Sequence, residues 1–265
     1  MTNVNFATIQ NQYMFEIELQ LVTPLHIGGN QEEAITSDSP IMRDTNGAPF
    51  IPGSSLKGLL RTASERTVHL LSFEKDACFL KDGGCHPYKK YKHIEELAKL
   101  GEEEQLFDEI YAHLCPICQT YGGGMIASKV KFQHVFFDEF VPVNVRTSNK
   151  IDRDTGATVD GALFSYEYIQ PKQTFKIVVE AENMTRDNLK VLGLALAQLE
   201  QNAIRFGGKQ AKGLGQVKYV SGKVIEQQYD ATNKQQALSA LLGLVEPKTY
   251  ELTPFLENLL LEEVK

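Results

Sequence analysis

Leu25–Arg61 reads LHIGGNQEEAITSDSPIMRDTNGAPFIPGSSLKGLLR, and its punctuation marks a strand end, a loop, a short hairpin and a helix start in that order. Gly28-Gly29 closes the strand. A polar loop then carries Asp38 directly before Ser39-Pro40. Pro40 and Pro49 bracket an extended piece whose Asn46-Gly47 is a strong hairpin turn signal. Pro52-Gly53-Ser54-Ser55 leads into a helix with Lys57 in its first turn and Arg61 in its second. Unpaired N–H groups at a helix start, with hydroxyls and cations beside them, suit a phosphate. The same residues also suit an N-cap with ordinary surface cations around it.

Outward from this stretch, hydrophobic periodicity sets the architecture. Phe15, Ile17, Leu19 and Leu21 alternate with polar residues, the pattern of a strand with one wet face. The helix from about Ser54 carries Leu56, Leu59, Leu60, Ala63 and Val68 at helical spacing. Val130, Phe132 and Phe136 mark a second strand, with Lys129, Lys131 and Gln133 on its other side. A third runs near Thr174–Ala181. Thr185 or Asp187 then caps a helix bearing Leu189, Leu192, Leu196 and Leu199, and a last strand spans about Gln216–Val224. This β-α-β-β-α-β order predicts an α+β, ferredoxin-like (RRM-type) core. Thr67–Gly124 and Val143–Tyr168 read as insertions. Asn233–Lys265 adds helical pattern at Leu238, Leu241, Leu242 and Val245.

Composition sets looser bounds. The 265 residues suit one domain with insertions, or two, and 42% hydrophobic content supports a sizeable core. No apolar run has the length of a membrane span and the N-terminus lacks signal-peptide character, so a cytoplasmic location without membrane contact is expected. A net charge of −7 runs against a freestanding nucleic-acid binder but allows one with its cations gathered on one face.

All four cysteines fall in the first insertion: Cys78, Cys85 and the Cys115-Pro116-Ile117-Cys118 knuckle. In a cytosolic protein this favours structural zinc over disulfides, with inert or redox thiols as the alternative. His69, His86, His93 and His113 are near enough in sequence to make a Cys3His set a second form of the same site. The second insertion carries Arg146, Lys150 and Arg153 among Asp152 and Asp154, with Ile151 between them and Gly156 marking a turn. Phe206–Gly215, FGGKQAKGLG, has a partial P-loop look but lacks the GK[ST] ending and leads into a strand, which argues against ATP. Lys209 and Lys212 in a glycine-lined turn suit phosphate cradling.

Three motifs in this order, the Asp-Ser-Pro to Lys-Gly-Leu-Leu-Arg block, the second insertion and the glycine-rich loop, resemble the RAMP-superfamily backbone subunits of type III CRISPR effector complexes. The likeness runs from about Tyr13 to Val224. It implies a single RAMP domain that binds guide RNA and assembles with other RAMP and large subunits. It makes the second insertion a β-hairpin thumb over the guide–target duplex, and zinc-bearing insertions occur among such relatives. It also places Asp38 where target-cleaving subunits carry an essential aspartate, serving Mg2+ or another divalent ion or a 2′-hydroxyl. His26 is the runner-up acid or base. Two functions remain open: an endoribonuclease subunit cutting target RNA through Asp38, and a non-catalytic scaffold in which Asp38 only caps a loop.

Overall fold

In β1 (Asn11–Leu21), alternation sends Phe15, Ile17, Leu19 and Leu21 to one face, and all four are buried. Hydrophobic burial at this period fixes the strand's register, because a one-residue slip would exchange its faces. The computed structural model describes residues 6–29, 37–75, 77–79, 85, 96, 99, 103–124, 126–137, 140–230 and 232–261. β1 is the centre of a five-stranded antiparallel sheet of order β3-β7-β1-β8-β9, formed with β3 (Val130–Phe132), β7 (Thr174–Glu182), β8 (Val217–Gln228) and β9 (Lys248–Glu251). Phe15 faces Val179 on one side and Val224 on the other. Helix α1 (Gly53–Thr67) joins β1 to β3, and α4 (Arg186–Glu200) joins β7 to β8. The result is a mixed α+β structure with the strand order a ferredoxin-like core requires.

The helices pack on the buried face. The Ser64 hydroxyl donates to the Val191 carbonyl at 2.7 Å, and Gln198 Nε2 donates to the Ala63 carbonyl at 3.1 Å, which ties α1 to α4. Thr185 is the N-cap of α4, accepting from the Asn188 N–H while Asn188 accepts from Thr185's own N–H. This reciprocal cap contributes about 1 kcal/mol. No helix among the described residues is long and apolar enough to cross a membrane.

Two expectations change. Phe136, read as continuing the second strand, instead lies in β4 (Val135–Phe136), which pairs with β2 (Phe50–Ile51). The chain turns between them, where His134 Nδ1 accepts from the Gly53 N–H at 2.9 Å. Lys129, assigned to the wet face, is 1% exposed. It precedes the strand, and its Nζ donates to Asn188 Oδ1 at 2.8 Å and the Tyr111 hydroxyl at 3.2 Å. The cysteine-bearing insertion does not stand outside the core. Within it lie α2 (Glu103–His113) and α3 (Pro116–Tyr121), and Tyr111, Leu114, Ile117 and Tyr121 join the same buried cluster as β1. At the C-terminus, α5 (Lys234–Leu241) leaves Leu238, Leu241 and Leu242 exposed, while β9 and α6 (Leu252–Leu261) do the packing. Leu256 and Leu259 reach α4 at Gly193, where a side chain would meet them.

Burial lowers the Lys129 pKa from 10.5 to about 8. Between those values the unfolded chain keeps a proton that the folded chain has released, so stability rises with pH through that window. Relative to Lys129→Met, the wild type should gain about 1–3 kcal/mol of stability between pH 8 and 10.5. Paired denaturant melts across that range check this; a constant difference would contradict it.

Candidate nucleic-acid interface and cysteine cluster

Three segments distant in sequence meet at His26. Its Nδ1 donates to the Glu167 carbonyl at 2.8 Å, which fixes the neutral tautomer and leaves Nε2 to accept from the Ser39 hydroxyl at 3.3 Å. Its own carbonyl accepts from the Gly208 N–H at 2.8 Å. Burial, with Lys209 adding a smaller effect, lowers the imidazole pKa. The ring is thus a neutral bolt with both nitrogens engaged, and the acid–base part sequence reading reserved for it does not fit this setting.

The bolt joins the Asp38 loop to a hairpin made of β5 (Val143–Ile151) and β6 (Thr158–Ile169). Leu25 and Ile169 exchange backbone hydrogen bonds of 2.8 and 3.0 Å at its root, and Glu167 Oε2 accepts from the Ile41 N–H at 3.1 Å and from Arg43 at 3.3 Å. Asp38 is exposed but clasped. Its Oδ2 accepts from the Ser165 N–H at 2.6 Å and the Ser165 hydroxyl at 2.9 Å, while its N–H donates to Ser165 Oγ at 3.0 Å. Those bonds, the backbone one first, hold its carboxyl below the usual carboxylate range. A carboxylate so held stays ionised at neutral pH. It can orient a hydroxyl or hold a hard cation better than it can store a proton.

The glycine-rich loop packs against the same hairpin. Gly207, at φ +69°, lies so close to the His26 carbonyl that any Cβ would collide with it. Lys209 Nζ stands 4.7 Å above the Tyr166 ring and Lys212 Nζ 4.4 Å above Phe164. Arg146, Lys150, Phe164, Tyr166 and Lys212 line one shallow groove on the hairpin, so cations and aromatic rings interleave there. Arg153 lies in the hairpin's turn, away from that groove.

Helix α1 forms a second groove with the glycine-rich loop. Ser55, Gly58, Thr62 and Arg66 face Arg205, Gly207 and Gly208 across it. Pro52, not a serine, is the N-cap residue, so the hydroxyls of Ser54 and Ser55 are not used for capping. Arg66 and Arg205 escaped sequence reading. Arg66 lies three helical turns from Ser55, and Arg205 sits directly before the Phe-Gly-Gly that draws attention to the loop. Lys57 lines neither groove; its pKa is lowered by burial and then by Arg61. Arg61, expected to share a phosphate with Lys57, is instead directed to Glu65, Gly122 and Cys118.

The four cysteines converge. The Sγ atoms of Cys78, Cys85, Cys115 and Cys118 all lie within 4.8 Å of one another, and Cys78 and Cys118 are 3.6 Å apart. A tetrahedral zinc–thiolate set with bonds of about 2.3 Å has sulfur–sulfur edges of about 3.8 Å, so the donors fit. Among the described residues the grouping contains no histidine; His86 and His93 lie outside those residues.

A family model for the RAMP superfamily matches residues 18–218. The chain is 27% identical over 237 residues to the "CRISPR system Cms endoribonuclease Csm3" of Methanocaldococcus jannaschii, covering 82% of each protein. It is 26% identical over 251 residues to the protein of the same name from Streptococcus thermophilus, covering 89% of this chain and 99% of that one.

Ser165→Ala removes the hydroxyl donor to the Asp38 carboxylate. The Asp38 pKa should move back toward the ordinary carboxylate range, as read from its side-chain carbon signal in a pH titration. A group whose folded pKa is depressed stabilises fully above its unfolded value and loses that stabilisation as pH falls through the folded one. An unmoved titration in the variant would show that the clasp does not set the charge.

Proposed function

The chain belongs to the RAMP superfamily, and from that membership we propose that it is a guide-RNA-binding subunit of a type III CRISPR effector complex that cuts guide-paired target RNA through Asp38. The naming of its relatives as Csm3 endoribonucleases supports the class. The observation that carries the proposal is the meeting at His26, which holds an ionised, exposed carboxylate against one face of the hairpin whose other face carries a groove of cations and aromatic rings. RNA phosphates are held by Arg146, Lys150, Arg153, Lys209 and Lys212, with Ser54, Ser55 and Lys57 at the start of α1; Arg66 and Arg205 join them at the second groove. Guide RNA, target RNA and the other RAMP and large subunits are the partners. The chain acts as one RAMP domain with insertions at about 67–124 and 143–168 and a C-terminal extension at about 233–265.

Asp38 accepts a hydrogen bond from the 2′-hydroxyl of a displaced target nucleotide and aligns it with the neighbouring phosphate. One exposed carboxylate is also a donor that Mg2+ accepts; Asp38 would hold the ion, which would supply charge stabilisation. Zinc held by Cys78, Cys85, Cys115 and Cys118 would be structural, since four thiolates would leave no open position. The scaffold reading has one observation on its side: Asp38's bonds to Ser165 are those of a loop clasp.

Asp38→Asn keeps an acceptor for the clasp and removes the charge, while Asp38→Ala removes both. Both variants should assemble with guide and target RNA and cut about 10²–10⁴ more slowly in single-turnover assays. Wild-type cutting by both would leave the subunit a scaffold.

One zinc per chain is expected by elemental analysis. Because α3 packs into the common core through the Tyr121 hydroxyl, 3.0 Å from Ser64, Cys115→Ser should destabilise α1 and α4 packing as well as the insertion. A loss on the order of 2–5 kcal/mol is the scale for a broken structural site. An unchanged denaturation midpoint would contradict this.

A further inference from the structure

Arg61 is a largely buried cation on the side of α1 that meets the cysteine cluster. Its side chain is 15% exposed and that of Glu65 is 13% exposed. Nε donates to Glu65 Oε1 at 2.9 Å, Nη1 to the Gly122 carbonyl at 2.9 Å, and Nη2 to Cys118 Sγ at 3.3 Å. Gly122 follows α3 at φ +79°, and a Cβ there would press on the backbone of Ser128, so the turn after the CxxC knuckle has one narrow solution. Three acceptors from a helix neighbour, a turn and a thiol thus surround one guanidinium. A planar fork can serve all three at once, whereas a single ammonium cannot span them.

We propose that Arg61 is the positioning residue of the four-cysteine site, holding Cys118 and the Gly122 turn so that four thiolates gather around a soft divalent ion, and that it is not a phosphate contact. The proposal rests on the metal reading given above. Thiolates around a divalent ion carry surplus negative charge, and an N–H donated to sulfur together with a nearby cation offsets it and resists release of the ligand. Glu65 completes the arrangement by holding the opposite edge of the fork. The same side chain ties α1 to the end of α3, so the helix that carries Ser54 and Ser55 is braced on the cysteine site.

The test uses the full chain loaded with zinc, as wild type, Arg61→Lys and Arg61→Met. Arg61→Lys keeps a charge for Glu65 and so protects folding, but it cannot donate to Gly122 and Cys118 together. Zinc transfer to a chromophoric chelator should be about 10- to 100-fold faster in Arg61→Met, with Arg61→Lys between it and wild type. In cobalt-loaded protein the thiolate-to-metal charge-transfer band should move to lower energy in both variants, because Cys118 has lost a donor. The salt dependence of binding to a short single-stranded RNA should stay unchanged. Wild-type zinc release and band position in Arg61→Lys would overturn the proposal, as would a fall of about one in the salt slope of Arg61→Met. Wild-type protein that binds no stoichiometric zinc would sink the metal reading itself, whereas zinc-loaded protein indifferent to Arg61 sinks only this inference.

Discussion

A neutral imidazole with both nitrogens occupied holds the functional end of this molecule together. His26 stands where β1 has just left the sheet, and it binds β6 through its ring and the glycine-rich loop through its carbonyl. Were the ring to gain a proton, Nε2 would become a donor and the Ser39 hydroxyl would have to turn from donor to acceptor. Burial works against that event by disfavouring the charged form. The Asp38 loop, the hairpin and the lysine-bearing loop therefore share one reference point, although 141 residues separate His26 from Glu167.

Net acidity and the proposed RNA binding are compatible because the charges are sorted. On the wet face of the sheet, Glu16 pairs with both Lys176 and Lys223, and Lys131 pairs with Glu182. Those cations are answered locally, and exposed pairs of this kind contribute little to stability. The hairpin groove instead sets Arg146, Lys150 and Lys212 beside aromatic rings. The five-stranded sheet thus contributes its topology, while stacking surface is supplied by an element outside it. An RRM-type strand order consequently says little about where a nucleic acid would bind.

Much of the core was legible because burial imposes a period. The alternation of Phe15 to Leu21 gave the C-terminal part of β1, and the spacing of Leu189 to Leu199 gave α4 nearly to its end. Lys129 was misread for the same reason in reverse. A strand period was extended one residue too far, onto a lysine whose charge is met by Asn188 and Tyr111, neither visible as a partner in sequence. The cysteine grouping was legible from clustering along the chain, but Arg61's part in it was not, since its three acceptors come from three different places. Asp38 was found by motif alone. Its bond to Ser165 spans 127 residues and has no local signature.

The hairpin's pleat imposes a parity rule. Ser165 and Glu167 face the Asp38 loop, while Phe164 and Tyr166, the alternate residues, lie under Lys212 and Lys209. Adding or deleting one residue in β6 near its root would exchange the two sets, sending rings toward the carboxylate and the clasp toward the lysines. Length can change freely only at the Asp152–Ala157 turn, or beyond the register shift that β5 already contains between Asn149 and Ile151. The reach of the hairpin is accordingly adjustable at its tip, whereas the count of residues at its base is fixed modulo two.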